Sequence, residues 1–270
     1  MTQTPRLVAT DLDGTLVGRD RTVSHRTAEV LRRLDAAGVL IVLVTGRPIR
    51  WLHPVYDQLP VAPVAICANG AATYDPGTDT ILHSAPIEPG TLAEVCERLR
   101  TKIPGVVFAV ERDGGRQMRH EAEFPVGPWE VNHHSVGPVS YAELLTRPAA
   151  KLLVRAGVQQ ADEFTALVGE CLAGLAEATN SSSSGMVEVS AAGVTKATAL
   201  ARIAREHAVT APEVIAFGDM PNDLPMLTWA GRGVAMANGH PAVLSAAHDI
   251  TTATNEDDGV AAYLEQLYRH

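Results

Sequence analysis

Six consecutive residues, Val39-Leu40-Ile41-Val42-Leu43-Val44, are all apolar and constrain the fold more than any other stretch of the chain. A run of β-branched residues and leucine without polar alternation fits a strand covered on both faces, as in a parallel sheet with crossover helices. It stops at Thr45-Gly46-Arg47-Pro48. The neighbouring segments keep the same rhythm. Arg6 to Thr10 reads as a short strand ending in Asp11-Leu12-Asp13-Gly14. Ser24 to Ala37 sets Val30, Leu31 and Leu34 at helical spacing, with Ser24 suited to cap the start and Gly38 the end. Val61 to Cys67, with a proline at position 63, reads as the next strand and stops at Ala68-Asn69-Gly70. Strand, helix, strand in this order predicts an α/β fold with a parallel sheet.

The C-terminal part repeats the rhythm. Thr195 to His207 reads as a helix, Val214 to Phe217 as a buried strand, Leu224 to Ala230 as a short helix, Gly233 to Met236 as a strand and His248 to Thr251 as a last one. The middle changes character. Val106 to Val110 and Lys151 to Val154 are strand-like, a hairpin is expected around Asp113-Gly114-Gly115, and a helix over Ala161 to Ala176 leads to the serine run 181–184 and a strand over Met186 to Val189. The expected organisation is a core made of residues 1–82 and 190–270, interrupted by an α+β insertion over 83–189.

Charge and composition exclude several classes. The net charge of −9 does not suit a nucleic-acid binder, which carries a basic stripe. No stretch reaches the ~18 apolar residues of a membrane span, and the N-terminus lacks a secretory signal pattern. The three cysteines, Cys67, Cys96 and Cys171, are scattered without metal-like pairing and read as buried thiols. The expectation is a cytoplasmic protein, monomer or homodimer.

In open parallel sheets, ligands bind beyond the carboxyl ends of the strands. Four apolar runs end there in polar residues: Asp11 and Asp13, Thr45 and Arg47, Asn69 and Gly70, and Gly218 with Asp219. Lys196 opens the helix after the insertion, so all five features can meet in one crevice. Asp11 and Asp13, two residues apart and followed by glycine, suit a nucleophile and a general acid/base. The plainer alternative is a capped turn. Asp219, Asn222 and Asp223 form an oxygen-rich group suited to Mg²⁺, where a helix cap would use only one of them. Grouped carboxylates repel a phosphate dianion by roughly 4 kcal/mol per close pair. A divalent cation and the Lys196 ammonium reverse that sign. The Thr45 hydroxyl and the backbone at Gly46 suit a phosphoryl oxygen, and Arg47 suits either substrate phosphate or an acidic neighbour. Asn69-Gly70 by itself is a common turn. The histidines His120, His133 and His134 lack zinc-ligand spacing and read as surface or substrate-facing.

Asp11-Leu12-Asp13-Gly14-Thr15-Leu16, Val44-Thr45-Gly46-Arg47, Ala68-Asn69-Gly70, Lys196 and Gly218-Asp219-x-x-Asn222-Asp223 together resemble the motifs of the haloacid dehalogenase superfamily, in particular its Cof-type phosphatases. Gly233 to Gly239 and Thr254 to Ala261 resemble the C-terminal pattern of that branch. Two departures are Ala197 after Lys196, where glycine is frequent, and the order Ala237-Asn238-Gly239.

The resemblance implies a Rossmann-like three-layer core with a C2-type α+β cap inserted after the third strand. It implies Asp11 as nucleophile and metal ligand, and Asp13 as acid/base with its carbonyl on the metal. It also implies Thr45 on the phosphoryl group, Lys196 beside Asp11 and Asp219 on Mg²⁺, with Asn222 and Asp223 completing the metal site directly or through water; Gly46, Arg47, Asn69 and Asn222 are further candidates for contact with substrate or phosphate. The implied reaction is hydrolysis of a small phosphorylated metabolite, such as a sugar phosphate, through an aspartyl-phosphate. A phosphomutase sharing that intermediate and a non-catalytic phosphoacceptor remain open alternatives.

Overall fold

A computed structural model describes residues 5–128, 130–131, 133–157, 160–180 and 185–268. The first part runs β1 (Leu7–Thr10), α1 (His25–Ala36), β2 (Leu40–Val44), α2 (His53–Tyr56), β3 (Val64–Cys67), β4 (Ala72–Asp75) and β5 (Thr80–Ser84). The middle runs α3 (Pro89–Lys102), β6 (Val107–Arg112), β7 (Gln117–His120), β8 (Val136–Pro138), α4 (Tyr141–Leu144), β9 (Lys151–Arg155), α5 (Ala161–Leu172), β10 (Ala176–Thr179) and β11 (Met186–Ala191). The end runs α6 (Lys196–Glu206), β12 (Val214–Gly218), α7 (Leu224–Trp229), β13 (Arg232–Ala235), α8 (Pro241–Ala246), β14 (Asp249–Ile250) and α9 (Gly259–Leu267).

These strands make two sheets. An eight-stranded sheet has the order β14-β13-β12-β1-β2-β3-β4-β5, parallel from β14 to β3 and antiparallel from β3 to β5. β1 lies at its centre, with Leu7 beside Leu40 on one side and Val214 on the other. Its two faces bury separate clusters. One gathers Leu31, Leu43, Phe217 and Leu264 under α1 and α9; the other gathers Val42, Ala216, Leu200 and Leu227 under α6 and α7. This is the three-layer α/β arrangement the apolar runs demand. A six-stranded sheet, order β10-β11-β9-β6-β7-β8, is covered on one face by α3 and α5 through Leu92, Phe108, Phe164 and Val187.

Local chemistry accounts for the boundaries. Ser24 caps α1 by accepting from the Thr27 N–H, and Gly38 leaves it at φ +81°. β3 starts at Val64 and not at Val61, because Pro63 has no N–H to give a ladder. α5 ends at Leu172, short of the expected Ala176, since Ala173 and Gly174 turn to φ +47° and +80° and release the chain into β10. β5 carries the first sheet to Ser84, and β11 carries the second to Ala191. β4 and β5 form a hairpin between the third parallel strand and the second sheet. The serine run 181–184 lies outside the described residues. No helix among the described residues is long and apolar enough to cross a membrane. Cys67 and Cys96 are buried free thiols, while Cys171 is half-buried.

Candidate active site

The carboxyl ends of β1, β2, β3 and β12 share one edge of the large sheet, and the polar residues that follow them converge there. Asp11 leaves β1 with its N–H bonded to the Phe217 carbonyl at 3.0 Å, which ties it to β12. Thr195 caps α6 by accepting from the Thr198 N–H, so the helix opens at Lys196 and aims its side chain inward. Lys196 Nζ donates to Asp11 Oδ1 at 2.7 Å and to Asp223 Oδ1 at 2.6 Å, and is 1% exposed. Oxygens of Asp11, Asp219 and Asp223 all lie within 4.8 Å of one another.

Close approach is enforced by glycine. Gly14 sits at φ +78°, and a Cβ there would fall 2.3 Å from Asp219 Oδ2. Gly70 sits at φ +111°, and its Cβ would fall 2.3 Å from the Thr195 carbonyl, on the turn that delivers Lys196. Asp223 also closes its own loop: its Oδ2 accepts the N–H groups of Asp219 and Met220, each at 3.0 Å. The Thr15 hydroxyl donates to Asp219 Oδ1 at 2.9 Å.

Three buried carboxylates against one ammonium leave the cluster negative. Burial first, and then the neighbouring charges of Asp223 and Asp219, push the Asp11 carboxyl well above the usual range despite Lys196. Burial, followed by the Asp223 charge, pushes Asp219 up to about 7. Burial works against the Lys196 ammonium, but Asp11 and Asp223 outweigh it and raise its pKa. Such a set of hard oxygens with excess negative charge fits a divalent cation of the Mg²⁺ type. Asn222, three residues after Asp219, is buried, and its Oδ1 has no hydrogen-bond partner.

The other predicted residues divide. Thr45 is 1% exposed, and its Oγ1 accepts from the Arg47 N–H at 3.0 Å, leaving its hydroxyl proton to donate. Arg47 grips Asp13, one of its two anticipated partners, with two hydrogen bonds at 2.7 and 2.6 Å. The Asp13 carboxylate, 59% exposed, stands at the mouth outside the buried cluster. Asn69 has φ +58°, accepts from Asn222 Nδ2 at 3.1 Å and donates to Glu188 Oε2 at 2.7 Å. Its amide thus joins protein groups at both ends. The Gly46 carbonyl accepts from Lys151 Nζ at 2.6 Å. His120 is buried, with Nδ1 on the Glu121 carbonyl, which corrects the surface reading; His133 bonds Ser135 and stacks on His134.

Lys151 and Glu188 belong to the six-stranded sheet and were not anticipated. In sequence, Lys151 opens an apolar run and Glu188 interrupts one, a pattern that also fits a solvated strand edge. Arg50 makes a second buried junction between the sheets, pairing with Glu111 and Glu130 and donating to the Gly115 carbonyl at 2.8 Å. A surface groove of about 500 Å³ between α3 and α4 lies away from all these residues and holds none of the convergent carboxylates.

Known proteins resemble this chain over nearly its whole length. A family model described as haloacid dehalogenase-like hydrolase matches residues 8–264. The chain is 30% identical over 269 residues to the 5-amino-6-(5-phospho-D-ribitylamino)uracil phosphatase YitU of Bacillus subtilis, covering 98% of each. It is 30% identical over 276 residues to the pyridoxal phosphate phosphatase YbhA of Escherichia coli, covering 99% of each. Among solved structures, BT1666 of Bacteroides thetaiotaomicron, described among phosphatases of the HAD superfamily, superposes with a TM-score of 0.81 at 26% identity, covering 98% of this chain and 95% of that one.

Proposed function

The chain belongs to the haloacid dehalogenase-like hydrolases and is a phosphoric monoester hydrolase of the Cof type; from that premise we propose that it transfers phosphate from a small soluble metabolite to Asp11 and then to water. The observation that carries the reading is the buried Asp11–Lys196–Asp223 arrangement at 2.7 and 2.6 Å. A structural ion pair needs one carboxylate. Here one ammonium serves two, with a third alongside.

In the first step an Asp11 carboxylate oxygen attacks phosphorus, the ester P–O bond breaks, and the leaving oxygen takes a proton from Asp13. In the second, water attacks the phosphoryl-aspartate, Asp13 accepts its proton, and the P–O bond to Asp11 breaks to release phosphate. Lys196 holds Asp11 in place and offsets charge on the transferred group. The Thr45 hydroxyl donates to a phosphoryl oxygen. While Arg47 grips both Asp13 oxygens, Asp13 is held as an acceptor; proton delivery therefore requires Arg47 to turn toward substrate. Asp11, Asp219 and the Asp13 carbonyl would hold Mg²⁺, with Asp223 behind them. The cation supplies the positive charge that lets a phosphate dianion approach three carboxylates.

The six-stranded sheet serves as the cap over this site, and the surfaces it brings decide which leaving group fits. The relatives act on a ribitylaminouracil phosphate and on pyridoxal phosphate, so a phosphomonoester of a polyol, sugar or small heterocycle is the class to screen. Asp11→Asn is expected to lower turnover of p-nitrophenyl phosphate with Mg²⁺ by at least about 10³-fold, and EDTA to abolish it. Wild-type turnover by the variant would refute the covalent route. Isomerised product without inorganic phosphate would instead indicate a mutase.

A further inference from the structure

Arg47 and Arg50 stand three residues apart on one short turn and reach different parts of the molecule. Arg50 is held by the six-stranded sheet and its loops. Its Nε donates to Glu130 Oε1 at 3.0 Å, its Nη2 to Glu111 Oε1 at 3.2 Å and its Nη1 to the Gly115 carbonyl at 2.8 Å. The side chains of Arg50, Glu111 and Glu130 are 5%, 3% and 8% exposed. Burial opposes the charge on Arg50, but Glu111 and Glu130 outweigh it and raise its pKa. Arg47 reaches the mouth of the site instead. Its Nε and Nη2 donate to the two Asp13 oxygens at 2.7 and 2.6 Å, and its Nη1 donates to the Trp51 carbonyl at 3.5 Å.

Contacts therefore run without a gap from the second sheet to Asp13. Glu111 and Glu130 hold Arg50, Arg50 lies in the turn Ile49–Trp51, the Trp51 carbonyl is the third acceptor of Arg47, and Arg47 holds both oxygens of Asp13. The turn closes through the Trp51 N–H on the Pro48 carbonyl and the Leu52 N–H on the Ile49 carbonyl, each at 3.0 Å. Such i→i+3 bonds have poor geometry and hold a short turn weakly, so its place depends on what it packs against. The hairpin at Gly114 and Gly115 leaves it no slack. A Cβ at Gly114 would fall 2.7 Å from Ile49 Cδ1, and one at Gly115 2.5 Å from Pro48 Cβ. A guanidinium donates from a rigid, planar fork. A shift of the Trp51 carbonyl thus tilts the Arg47 plane away from Asp13.

Resting on the reading of Asp13 as general acid, we propose that Arg50 is a positioning residue for Asp13, acting through the Trp51 carbonyl and Arg47. It fixes where Asp13 stands before substrate arrives, and where Arg47 remains once its other nitrogens turn to substrate. When the ester P–O bond breaks, the Asp13 proton passes to the leaving oxygen. A basic phenolate needs that proton; a nitrophenolate, which spreads its charge over the ring, does not.

The test is kcat/KM of the full chain with Mg²⁺ on phenyl phosphate and on p-nitrophenyl phosphate, two esters of similar shape whose leaving oxygens differ in basicity. Arg50→Met is expected to lose about tenfold on phenyl phosphate and less than about threefold on p-nitrophenyl phosphate, a fraction of what general acid catalysis contributes. Asp13→Asn should show the same imbalance, enlarged. Added to Arg47→Met, Arg50→Met should deepen the loss on phenyl phosphate by less than about twofold, because residues acting through one another do not add. Asp162→Asn breaks another contact between the two sheets' elements, the exposed His240–Asp162 pair at 3.3 Å, and should leave both esters within about twofold of wild type. Equal losses on the two esters in Arg50→Met overturn the proposal. So do losses of Arg47→Met and Arg50→Met that multiply, or the same imbalance in Asp162→Asn. If Arg50→Met does not fold, Arg50→Lys, which keeps the charge but not the fork, is read by the same criterion. Equal losses on both esters in Asp13→Asn overturn the reading of Asp13 itself, a result distinct from the others.

Discussion

Replacing Asp219 with asparagine is expected to stabilise the metal-free protein, although it removes a residue of the proposed cation site. Asp219 is 7% exposed, and burial with the Asp223 charge lifts its pKa from 3.8 to about 7. In the unfolded chain the carboxyl titrates near its ordinary value. Between about pH 4 and pH 7 the folded state therefore keeps a proton the unfolded state has lost, and stability falls as pH rises through that window. At about 1.4 kcal/mol per pKa unit, the loss reaches about 4 kcal/mol by pH 8. Asparagine carries no charge, and its oxygen can still accept from the Thr15 hydroxyl, now at 2.9 Å from Asp219. At about 2–4 °C per kcal/mol for a chain near this size, the variant should melt roughly 5–15 °C higher in EDTA at pH 8, with a smaller gap at pH 5. Saturating Mg²⁺ should raise the wild type more than the variant and close or reverse the difference, because a ligand stabilises the state that binds it. Calorimetric melts at both pH values, with EDTA and with Mg²⁺, read this directly. A variant that melts below wild type in EDTA at pH 8 would refute the argument from crowded charge.

Three further outcomes are expected. Gly70→Ala, forced against the Thr195 carbonyl at a positive φ, should cost at least about 2 kcal/mol in urea unfolding and lower kcat by displacing Lys196. Arg47→Lys loses the two-pronged grip on Asp13 and should lower kcat/KM about tenfold, part of the 10²–10⁴-fold that general acid–base catalysis contributes; unchanged steady-state kinetics would dissociate the pair from turnover. Ser24→Ala removes the cap of α1 and should cost about 1 kcal/mol in the same unfolding assay, with phosphate release unchanged.

The parallel sheet was legible because β1, β2, β3 and β12 are largely apolar without alternation and soon give way to polar residues. The meeting of Asp11, Lys196 and Asp219 followed from placing those ends on one edge. Other elements carry no such signal. β5 is exposed along most of its length and shows no apolar period. The end of α5 turns on Ala173 in a left-handed conformation, which alanine does not announce. Lys151 and Glu188 look like surface charges in sequence; only the docking of one sheet on the other buries them, and burial over such distances is a tertiary property. Arg47 offered two partners of equal chemistry, and its two-pronged contact with Asp13 is a matter of geometry that spacing does not reveal.

The position of β1 between β2 and β12 has a consequence for biosynthesis. Its Leu7 pairs with Leu40 soon after synthesis, but its other neighbour is Val214. A ribosome adding 5–20 residues per second needs about 10–40 s to supply the intervening stretch. Throughout that interval one side of the strand that delivers Asp11 presents unpaired N–H and C=O groups, the condition that invites pairing with other chains. A nascent chain that halts before β12 thus holds Asp11 on an open edge, without Asp219 and Asp223 beside it.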